Sequence, residues 1–408
     1  MAGTTSQVKL AARRLLRIIA LPIILAQMAH AQLPPITEAP PKIQFEPWIA
    51  GRANDISRSF SASFPSAVVT ATPENNTVYV EASLPADQLN PVPTVIILHY
   101  WGATDYLVER RMVAQLNRRG IGCVLMTLPF HMRRSPRGVS SGQLAVRPDP
   151  AALRETMVQA TQDVRRTIDW METHPEFRRG AIGISGTSLG AIVAASASAV
   201  EPRIGPQCYL IGGVDLAHIV WRSSRVVAVR DELRRQGYTE DGLRRELASV
   251  EPEPLLKASA PRPALVVRAQ FDTIIPGQSA DRLIAALSNP AVERMDTGHF
   301  GGVLIARPIL RSQTEFFASA FAGVGYRPRN LRAPTLRFGA SLTPNQGLEV
   351  FGGVNLLGDP AGANLSLQLS PRNISLYPNF QLSKSVSIGV AVGPKQPVRP
   401  RLSWSFVL

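Results

Sequence analysis

A short segment flanked by glycines, residues 186–190, carries the residue types of a nucleophile site. It reads Gly-Thr-Ser-Leu-Gly, a G-x-S-x-G pattern with Ser188 at its centre. An apolar run over 181–184 precedes it, and an alanine-rich helical pattern over 189–200 follows. A sharp strand-to-helix turn leaves no room for side chains beside the nucleophile, and the start of the helix stabilises developing negative charge. The pattern alone is common by chance, so its strand–turn–helix context is what favours a serine nucleophile over a plain Gly/Ser turn.

This segment resembles the nucleophile elbow of the α/β-hydrolase superfamily, and the resemblance covers about residues 60–323. In that family an acid follows a later strand and a histidine comes after it along the chain. Asp272 follows an apolar run similar to the family's acid strand, and His299 lies in a Gly-His-Phe-Gly stretch similar to its histidine loop. The resemblance implies a triad of Ser188, His299 and Asp272. The serine attacks a carbonyl, the histidine moves the proton, and the carboxylate orients the imidazole.

Other acids and histidines compete for these roles. Asp215 follows the sixth sheet strand, a position that the resemblance also allows for the acid. Asp296 precedes His299 by three residues, and we expect it to structure the loop. Only His299 follows the last sheet strand. The other histidines beyond the leader are His99, His131, His174 and His218.

The resemblance also implies an oxyanion hole made of two backbone N–H groups. One belongs to Leu189, directly after the nucleophile, and the other to the loop that follows the strand 95–98. That loop reads His-Tyr-Trp-Gly over 99–102, which departs from the family's His-Gly-x-Gly pattern because Tyr100 stands where glycine is usual. We assign the second donor to Trp101, with Tyr100 as the alternative. The Trp101 ring either walls the acyl pocket or is a packed aromatic.

A basic loop over 128–138 follows the carboxyl end of a strand, the edge at which α/β sheets hold their ligands. His131, Arg133 and Arg134 in this loop are candidate substrate-binding residues, together with Tyr100. Arginines there would recognise a carboxylate or a phosphate on the substrate. The alternative is a loop that faces solvent or the cap.

These residues need a sheet that positions them. Short apolar runs alternate with helical patterns over residues 58–324, which is typical of a parallel sheet covered on both faces. We therefore predict the α/β class and an α/β-hydrolase fold, with a mostly parallel sheet of eight strands flanked by helices. A hairpin around 73–76 opens the sheet. An insertion over about 213–262 is far longer than an ordinary connection and predicts a helical cap.

The beginning of the chain and its composition limit the class of protein. The sequence has 408 residues and is 45% hydrophobic, which excludes wholesale disorder. Residues 1–31 combine a basic start, a short apolar run and an Ala-His-Ala ending, which predicts a secretory signal peptide and an exported protein, periplasmic or extracellular. Residues 32–57 are rich in proline and predict an extended lead-in.

Several classes of cofactor and partner find no support in the sequence. There is no metal-ligand spacing, no phosphate-binding loop motif and no dinucleotide fingerprint, so we expect no metal and no cofactor. Cys123 and Cys208 are expected on strands that two others separate, about 14 Å apart, and therefore as buried free thiols rather than a disulfide.

The formal net charge of +14 falls to +10 without the four basic residues of the leader, and residues 325–408 hold nine basic and two acidic residues, a net +7. The basicity therefore belongs to this tail and does not indicate nucleic acid as a partner.

The tail reads as antiparallel β structure in which apolar residues alternate with Gly, Ser, Asn, Gln and Arg. One interpretation is an accessory sheet whose apolar face packs on the hydrolase or on a second subunit. Another is membrane-associated strands like those of the outer membrane, and a third is carbohydrate or surface binding. About six strands are fewer than the eight of the smallest single-chain membrane barrels, so such a barrel would need several chains.

The residues together predict an exported serine hydrolase that acts through an acyl-enzyme. A small-molecule or polymer-linked carboxylic ester is the favoured substrate, and a peptide or amide comes second. A non-catalytic membrane or surface protein that uses the fold as a scaffold is the other alternative, against which the Ser–His–Asp set argues. Nothing in the cap sequence names a substrate.

Overall fold

The structure, a computed structural model, describes residues 33–87, 90–331, 335–394 and 398–408. The predicted signal peptide, residues 1–31, lies outside the described residues. The chain forms a large mixed sheet covered by helices, followed by a separate closed barrel. The predicted fold class is confirmed.

The large sheet has nine strands. They are β1 (Ile49–Ala53), β2 (Ser57–Pro65), β3 (Thr77–Pro85), β4 (Val92–Leu98), β5 (Gly122–Met126), β6 (Phe177–Thr187), β7 (Ile204–Leu210), β8 (Ala264–Ala269) and β9 (Ala291–Met295). Their order is β1-β2-β3-β5-β4-β6-β7-β8-β9, with β1 to β3 antiparallel and the strands from β5 to β9 parallel. The central strands are buried on both faces, as their continuous apolar runs predict.

Two layers of helices cover this sheet. The helices are α1 (Leu107–Asn117), α2 (Pro150–Met171), α3 (Leu189–Val200), α4 (Leu216–Arg222), α5 (Val227–Arg235), α6 (Glu240–Leu247), α7 (Pro252–Ala258), α8 (Gly277–Ala286) and α9 (Ala306–Phe321). On one face α2 and α3 bury side chains such as Trp170 and Ile192, and on the other α1 and α9 bury Leu116 and Phe317. The four helices α4 to α7 form the cap insertion between β7 and β8.

One expectation about the sheet needs correction. It has nine strands rather than eight, because β1 in the proline-rich lead-in pairs with β2. The lead-in also packs on the domain. Ile36 is buried, the Trp48 ring stacks on Phe60 at 4.0 Å between centroids, and the Gln162 amide on α2 donates to backbone carbonyls of the lead-in.

Two further features concern the cysteines and the helices. Cys123 and Cys208 are free and buried, on β5 and β7 with β4 and β6 between them. None of the helices in the described part of the chain has the length and apolarity needed to cross a membrane.

The barrel consists of six antiparallel strands. They are β10 (Leu336–Thr343), β11 (Gly347–Gly358), β12 (Ala363–Leu369), β13 (Ile374–Gln381), β14 (Val386–Ala391) and β15 (Arg399–Val407). Pairing of β10 with β15 closes the sheet within one chain, so its closure does not require several chains. Its apolar face does not pack on the hydrolase, because most of the large side chains on that face are exposed.

One end of the barrel contacts the loops of the large sheet. The Thr335 hydroxyl donates to the Asp296 carbonyl at 2.6 Å, and the Gly298 N–H donates to the Leu408 carbonyl at 2.7 Å. The Arg337 guanidinium lies 5.2 Å from the centre of the Phe271 ring. The barrel therefore supports the two loops that follow β8 and β9.

Candidate active site

Ser188 lies at the turn between β6 and α3. Its backbone φ is 55°, a strained value for a residue with a side chain and the one a nucleophile elbow requires. A Cβ on Gly186 would lie 2.1 Å from the Gly190 carbonyl oxygen, and a Cβ on Gly190 would lie 2.4 Å from the Leu98 carbonyl oxygen. A side chain at either position would therefore clash with backbone atoms, so both positions require glycine.

His299 joins the serine to an acid. Its Nε2 lies 3.0 Å from the Ser188 Oγ, and its Nδ1 lies 2.7 Å from the Asp272 Oδ2. All three side chains are largely buried. A carboxylate accepts, so the hydrogen of the neutral imidazole is assigned to Nδ1, and Nε2 is left to accept the serine proton. The three residues that the resemblance implied are brought together.

Asp272 is held by the loop after β8. Its Oδ1 accepts from the N–H groups of Ile274 and Ile275, each at 2.8 Å, which leaves Oδ2 to face the histidine. A carboxylate with one oxygen fixed by two backbone donors does not rotate away from its partner. The Asp272 carboxylate is therefore held in place by the backbone and in turn fixes the orientation of the His299 ring.

The competing acids lie elsewhere. Asp215 caps α4 by accepting from the His218 N–H, and it forms ion pairs with Arg244 at 3.3 Å and Arg282 at 3.0 Å. The segment around Asp296 is fixed by the bond from Thr335 to its carbonyl. Within the described residues, the acid that reaches His299 is Asp272.

Two buried histidines shape the loop after β4. His99 donates from Nδ1 to the Tyr100 carbonyl at 2.8 Å, and its Nε2 accepts from the Leu128 N–H at 3.0 Å. His131 donates from Nδ1 to the Pro129 carbonyl at 2.8 Å, and its Nε2 accepts from the Gly102 N–H at 3.0 Å. Burial lowers the pKa of His99 to about 3 and that of His131 to about 4, so both are neutral and keep an acceptor nitrogen at ordinary pH.

The two expected oxyanion donors lie beside the nucleophile. Leu189 begins α3 and Trp101 follows β4, and the elbow glycine Gly190 packs on the backbone that joins β4 to this loop. In the described part of the chain, neither the Leu189 N–H nor the Trp101 N–H donates to another protein atom. The Trp101 indole is fixed by its own N–H, which donates to the Gly142 carbonyl at 2.7 Å.

Two cavities meet at Ser188. The first, here the cap cavity, measures about 770 Å³ with its mouth and lies between α2, α3 and the cap. It is lined mostly by apolar side chains, among them Ala145, Leu153, Met157, Ile192, Ile219 and Val226. The second, here the histidine cavity, measures about 1440 Å³ with its mouth and includes Tyr100, Arg111, His299, Phe300 and Val303.

The basic loop does not supply substrate contacts, which corrects the sequence-based expectation for three of its residues. Arg134 is fully buried and pairs with Asp163 on α2 at 2.7 Å, and His131 is fully buried against the loop after β4. Arg133 is exposed, lies over the Tyr79 ring at 5.5 Å and lines neither cavity. Tyr100 does line the histidine cavity. The sequence of a loop gives the types of its residues, but it does not show in which direction each side chain points.

Sequence reasoning missed two cations that line the cavities, Arg111 of the histidine cavity and Arg225 of the cap. Arg225 in the cap lines both cavities, and its guanidinium lies 5.5 Å from the centre of the Trp101 ring. Nothing in the cap sequence singles it out, since arginines are frequent there. Its position over the predicted oxyanion loop is what identifies Arg225 as a residue of the site.

Comparisons with known proteins agree with this architecture. The family profile described as "Alpha/beta hydrolase domain containing 18" matches residues 36–217, which include Ser188 but precede Asp272 and His299. No curated protein shows significant sequence similarity to the chain.

Two solved structures illustrate the likeness in fold. An acetyl xylan esterase from Paenibacillus sp. R4 aligns with a TM-score of 0.53 and 15% identity over 66% of this chain and 87% of the other. Acetyl xylan esterase 1 from Thermoanaerobacterium sp. JW/SL YS485 aligns with a TM-score of 0.50 and 15% identity over 67% and 89%. At such identity the likeness concerns the fold.

Proposed function

We propose that this chain is a serine hydrolase of the α/β-hydrolase superfamily that cleaves carboxylic esters through an acyl-enzyme. The observation that carries the proposal is the continuous contact from the Ser188 Oγ through His299 to Asp272 at 3.0 and 2.7 Å. A serine on a strained elbow, next to a histidine whose second nitrogen is fixed by a carboxylate, is the arrangement that acyl transfer needs.

The reaction proceeds in two halves. The Ser188 Oγ attacks the ester carbonyl carbon while its proton passes to the His299 Nε2. The carbonyl oxygen, now negative, accepts from the N–H groups of Leu189 and Trp101. Collapse of this intermediate breaks the C–O bond, and the histidine returns the proton to the leaving alcohol. Water then attacks the acyl-enzyme by the same route and releases the carboxylic acid and the free serine.

The two cavities suggest which half of the ester each receives. His299 must reach the leaving oxygen, and it lines the histidine cavity but not the cap cavity. The alcohol part therefore belongs in the histidine cavity and the acyl part in the cap cavity. The cap cavity lining is mostly apolar, with Arg225 as its charged member. Such a lining favours a hydrocarbon acyl chain over a peptide, whose buried amides would lack partners.

Labelling with a fluorophosphonate probe tests the nucleophile. We expect wild type to be labelled and Ser188→Ala not to be, while Ser259→Ala, a matched change at a serine outside the triad, labels like wild type. An unlabelled wild type, or equal labelling of Ser188→Ala, would overturn the serine hydrolase assignment.

A substrate panel tests the bond and the acyl group. We expect turnover of p-nitrophenyl esters with medium acyl chains and little turnover of the matching anilides. Faster turnover of the anilides would replace the ester assignment with an amidase.

We also propose that the enzyme acts after export, on the strength of the leader at residues 1–31. Mass spectrometry of protein recovered outside the cytoplasm of an expressing bacterium should find a mature chain that begins at Gln32. An intact leader on all of the recovered protein would contradict this.

A further inference from the structure

The barrel carries apolar side chains on its outside around its whole circumference. On every strand, alternate residues point outward, and these outward positions hold Leu, Ile, Val, Phe, Trp, Pro, Ala or Gly. The large outward side chains that are exposed include Phe338, Leu342, Val350, Leu369, Ile374, Leu376, Phe380, Ile388, Val390, Trp404 and Phe406. Monomeric soluble proteins rarely expose a continuous apolar surface of this extent.

The inside of the barrel is polar and bonded to itself. The Arg401 guanidinium donates to the Thr343 Oγ1 at 3.0 Å, the Gln368 Oε1 at 2.9 Å and the Ser375 Oγ at 3.1 Å. The Tyr377 hydroxyl donates to the Arg401 carbonyl at 2.9 Å. A barrel made for water would place apolar residues here, so the distribution of polarity is inverted.

The barrel needs no further strand. Each of the six strands pairs with a neighbour on both sides, and β10 closes onto β15. Along the paired stretches, backbone groups are therefore satisfied within the barrel, as a hydrocarbon environment requires.

We propose that the outer face of this barrel is embedded in a lipid bilayer and anchors the hydrolase there. Apolar residues occur on all six strands, so a second protein docked on one side would leave the opposite strands exposed to water. Acyl chains surround the circumference and leave no side uncovered.

The dimensions and charges of the barrel suit a thin bilayer. At ~3.3 Å per residue and a tilt of about 40°, an eight-residue strand reaches through ~20 Å, against ~25 Å for the apolar band of outer-membrane barrels. The six barrel strands range from 6 residues in β14 to 12 in β11. Arg372 and Arg399 lie at the end of the barrel away from the hydrolase, where anionic headgroups would meet them.

Flotation with vesicles of phosphatidylethanolamine and phosphatidylglycerol tests the anchor, using the full-length protein. We expect wild type to float with the vesicles and to remain bound in high salt. The combined variant Leu376→Asn, Ile388→Asn and Phe406→Asn, on three barrel strands, should lower the floated fraction by about tenfold. A matched triple change on the hydrolase surface, Ile49→Asn, Val69→Asn and Val227→Asn, should float like wild type.

A second measurement does not depend on a variant with several polar changes. Trp404 points outward and is exposed, so brominated lipids in the vesicles should quench its fluorescence. Trp404→Phe keeps the outer face apolar, and it should float like wild type while losing the quenched component. Equal quenching of wild type and Trp404→Phe would show that Trp404 does not face lipid, and would overturn the proposal.

Other outcomes are also decisive. Wild type that stays with the unbound protein, or a barrel variant that floats as well as wild type, overturns the lipid assignment. So does a dimer, detected by light scattering, that the barrel variant dissociates while neither protein binds vesicles, because a second copy would then cover the barrel. Ser188→Ala should float normally, so a failure of the proposed activity leaves this test intact.

Discussion

At the scale of single residues, two buried histidines outside the Ser188–His299–Asp272 set hold the loop that carries the expected oxyanion donor. His131 is buried and accepts the Gly102 N–H directly after the expected oxyanion donor Trp101. His99 holds the preceding residue of the same loop through the Tyr100 carbonyl. Both must remain neutral, because a protonated imidazole has no acceptor nitrogen to offer.

This neutrality predicts loss of stability in acid. The pKa of His131 is lowered from 6.5 to about 4 in the folded protein, so the unfolded chain binds the proton first as the pH falls. Its stabilising contribution is complete above pH 6.5 and is lost between there and about pH 4, an effect on the order of 3 kcal/mol. Thermal unfolding from pH 7 to pH 4 should show a smaller loss for His131→Gln than for wild type. His174→Gln serves as the control, and an unchanged pH dependence in His131→Gln would contradict the assignment.

The elbow glycine makes a second prediction at this scale. A Cβ on Gly190 would meet the Leu98 carbonyl, whereas a Cβ on Gly205 would meet its nearest neighbour, the Ile182 carbonyl, at an ordinary 3.5 Å. Gly190→Ala should therefore displace the elbow from the loop after β4 and lower kcat/KM by about 10²-fold. Gly205→Ala, measured alongside with the same ester, should stay near wild type. Equal activities of the two variants would refute the steric argument.

At the scale of elements, the proposed function assigns the acyl group to the cap cavity. Ala145 is buried and lines this cavity, so Ala145→Phe should fill part of it. We expect kcat/KM for long-chain esters to fall by at least about tenfold, with acetyl esters little changed, since each lost methylene contact is worth about 1–3 kcal/mol. Val303→Phe, at an exposed position of the histidine cavity, is the matched control. A uniform loss over all chain lengths would mean that the acyl group does not bind under the cap.

Helices and strands could be predicted from the sequence where the segment itself has a clear hydrophobic pattern. The helix Leu189–Val200 has the residue bounds that its alanine-rich pattern predicts. β1 was missed because Ile-Ala-Gly-Arg-Ala is exposed at every position and is held by backbone pairing with β2, which leaves no apolar alternation to detect. A strand that is held only by backbone hydrogen bonds has no hydrophobic periodicity from which it could be predicted.

The site was predictable in part for a similar reason. Ser188 sits in a local motif, and its partners follow in a fixed chain order, so the residues that meet could be named from the sequence. Arg134 could not be assigned correctly, because its partner Asp163 lies on α2 and only the folded chain brings the two together. Long-range pairing also closes the barrel, since β10 and β15 stand at its opposite ends in sequence.

At the scale of the whole molecule, the hydrolase and the barrel share the histidine loop. Thr335 enters the barrel and bonds the Asp296 carbonyl, three residues before His299. Thr335→Val should lower kcat several-fold with little change in KM, because it loosens the loop without touching the cavities, at a stability cost of about 1 kcal/mol. Thr335→Ser keeps the hydroxyl and should restore the rate. A kcat that Thr335→Val leaves unchanged would show that the bond does not position the histidine.

The contact between Gly298 and Leu408 has a consequence for the order of folding. Leu408 follows β15, the barrel strand that is synthesised last, and its carbonyl accepts the N–H of the residue before His299. The strands and helices of the hydrolase are therefore synthesised before the last contact that holds the histidine loop. Under the proposed function, activity should begin only once β15 has joined β10, so the nascent chain should be inactive.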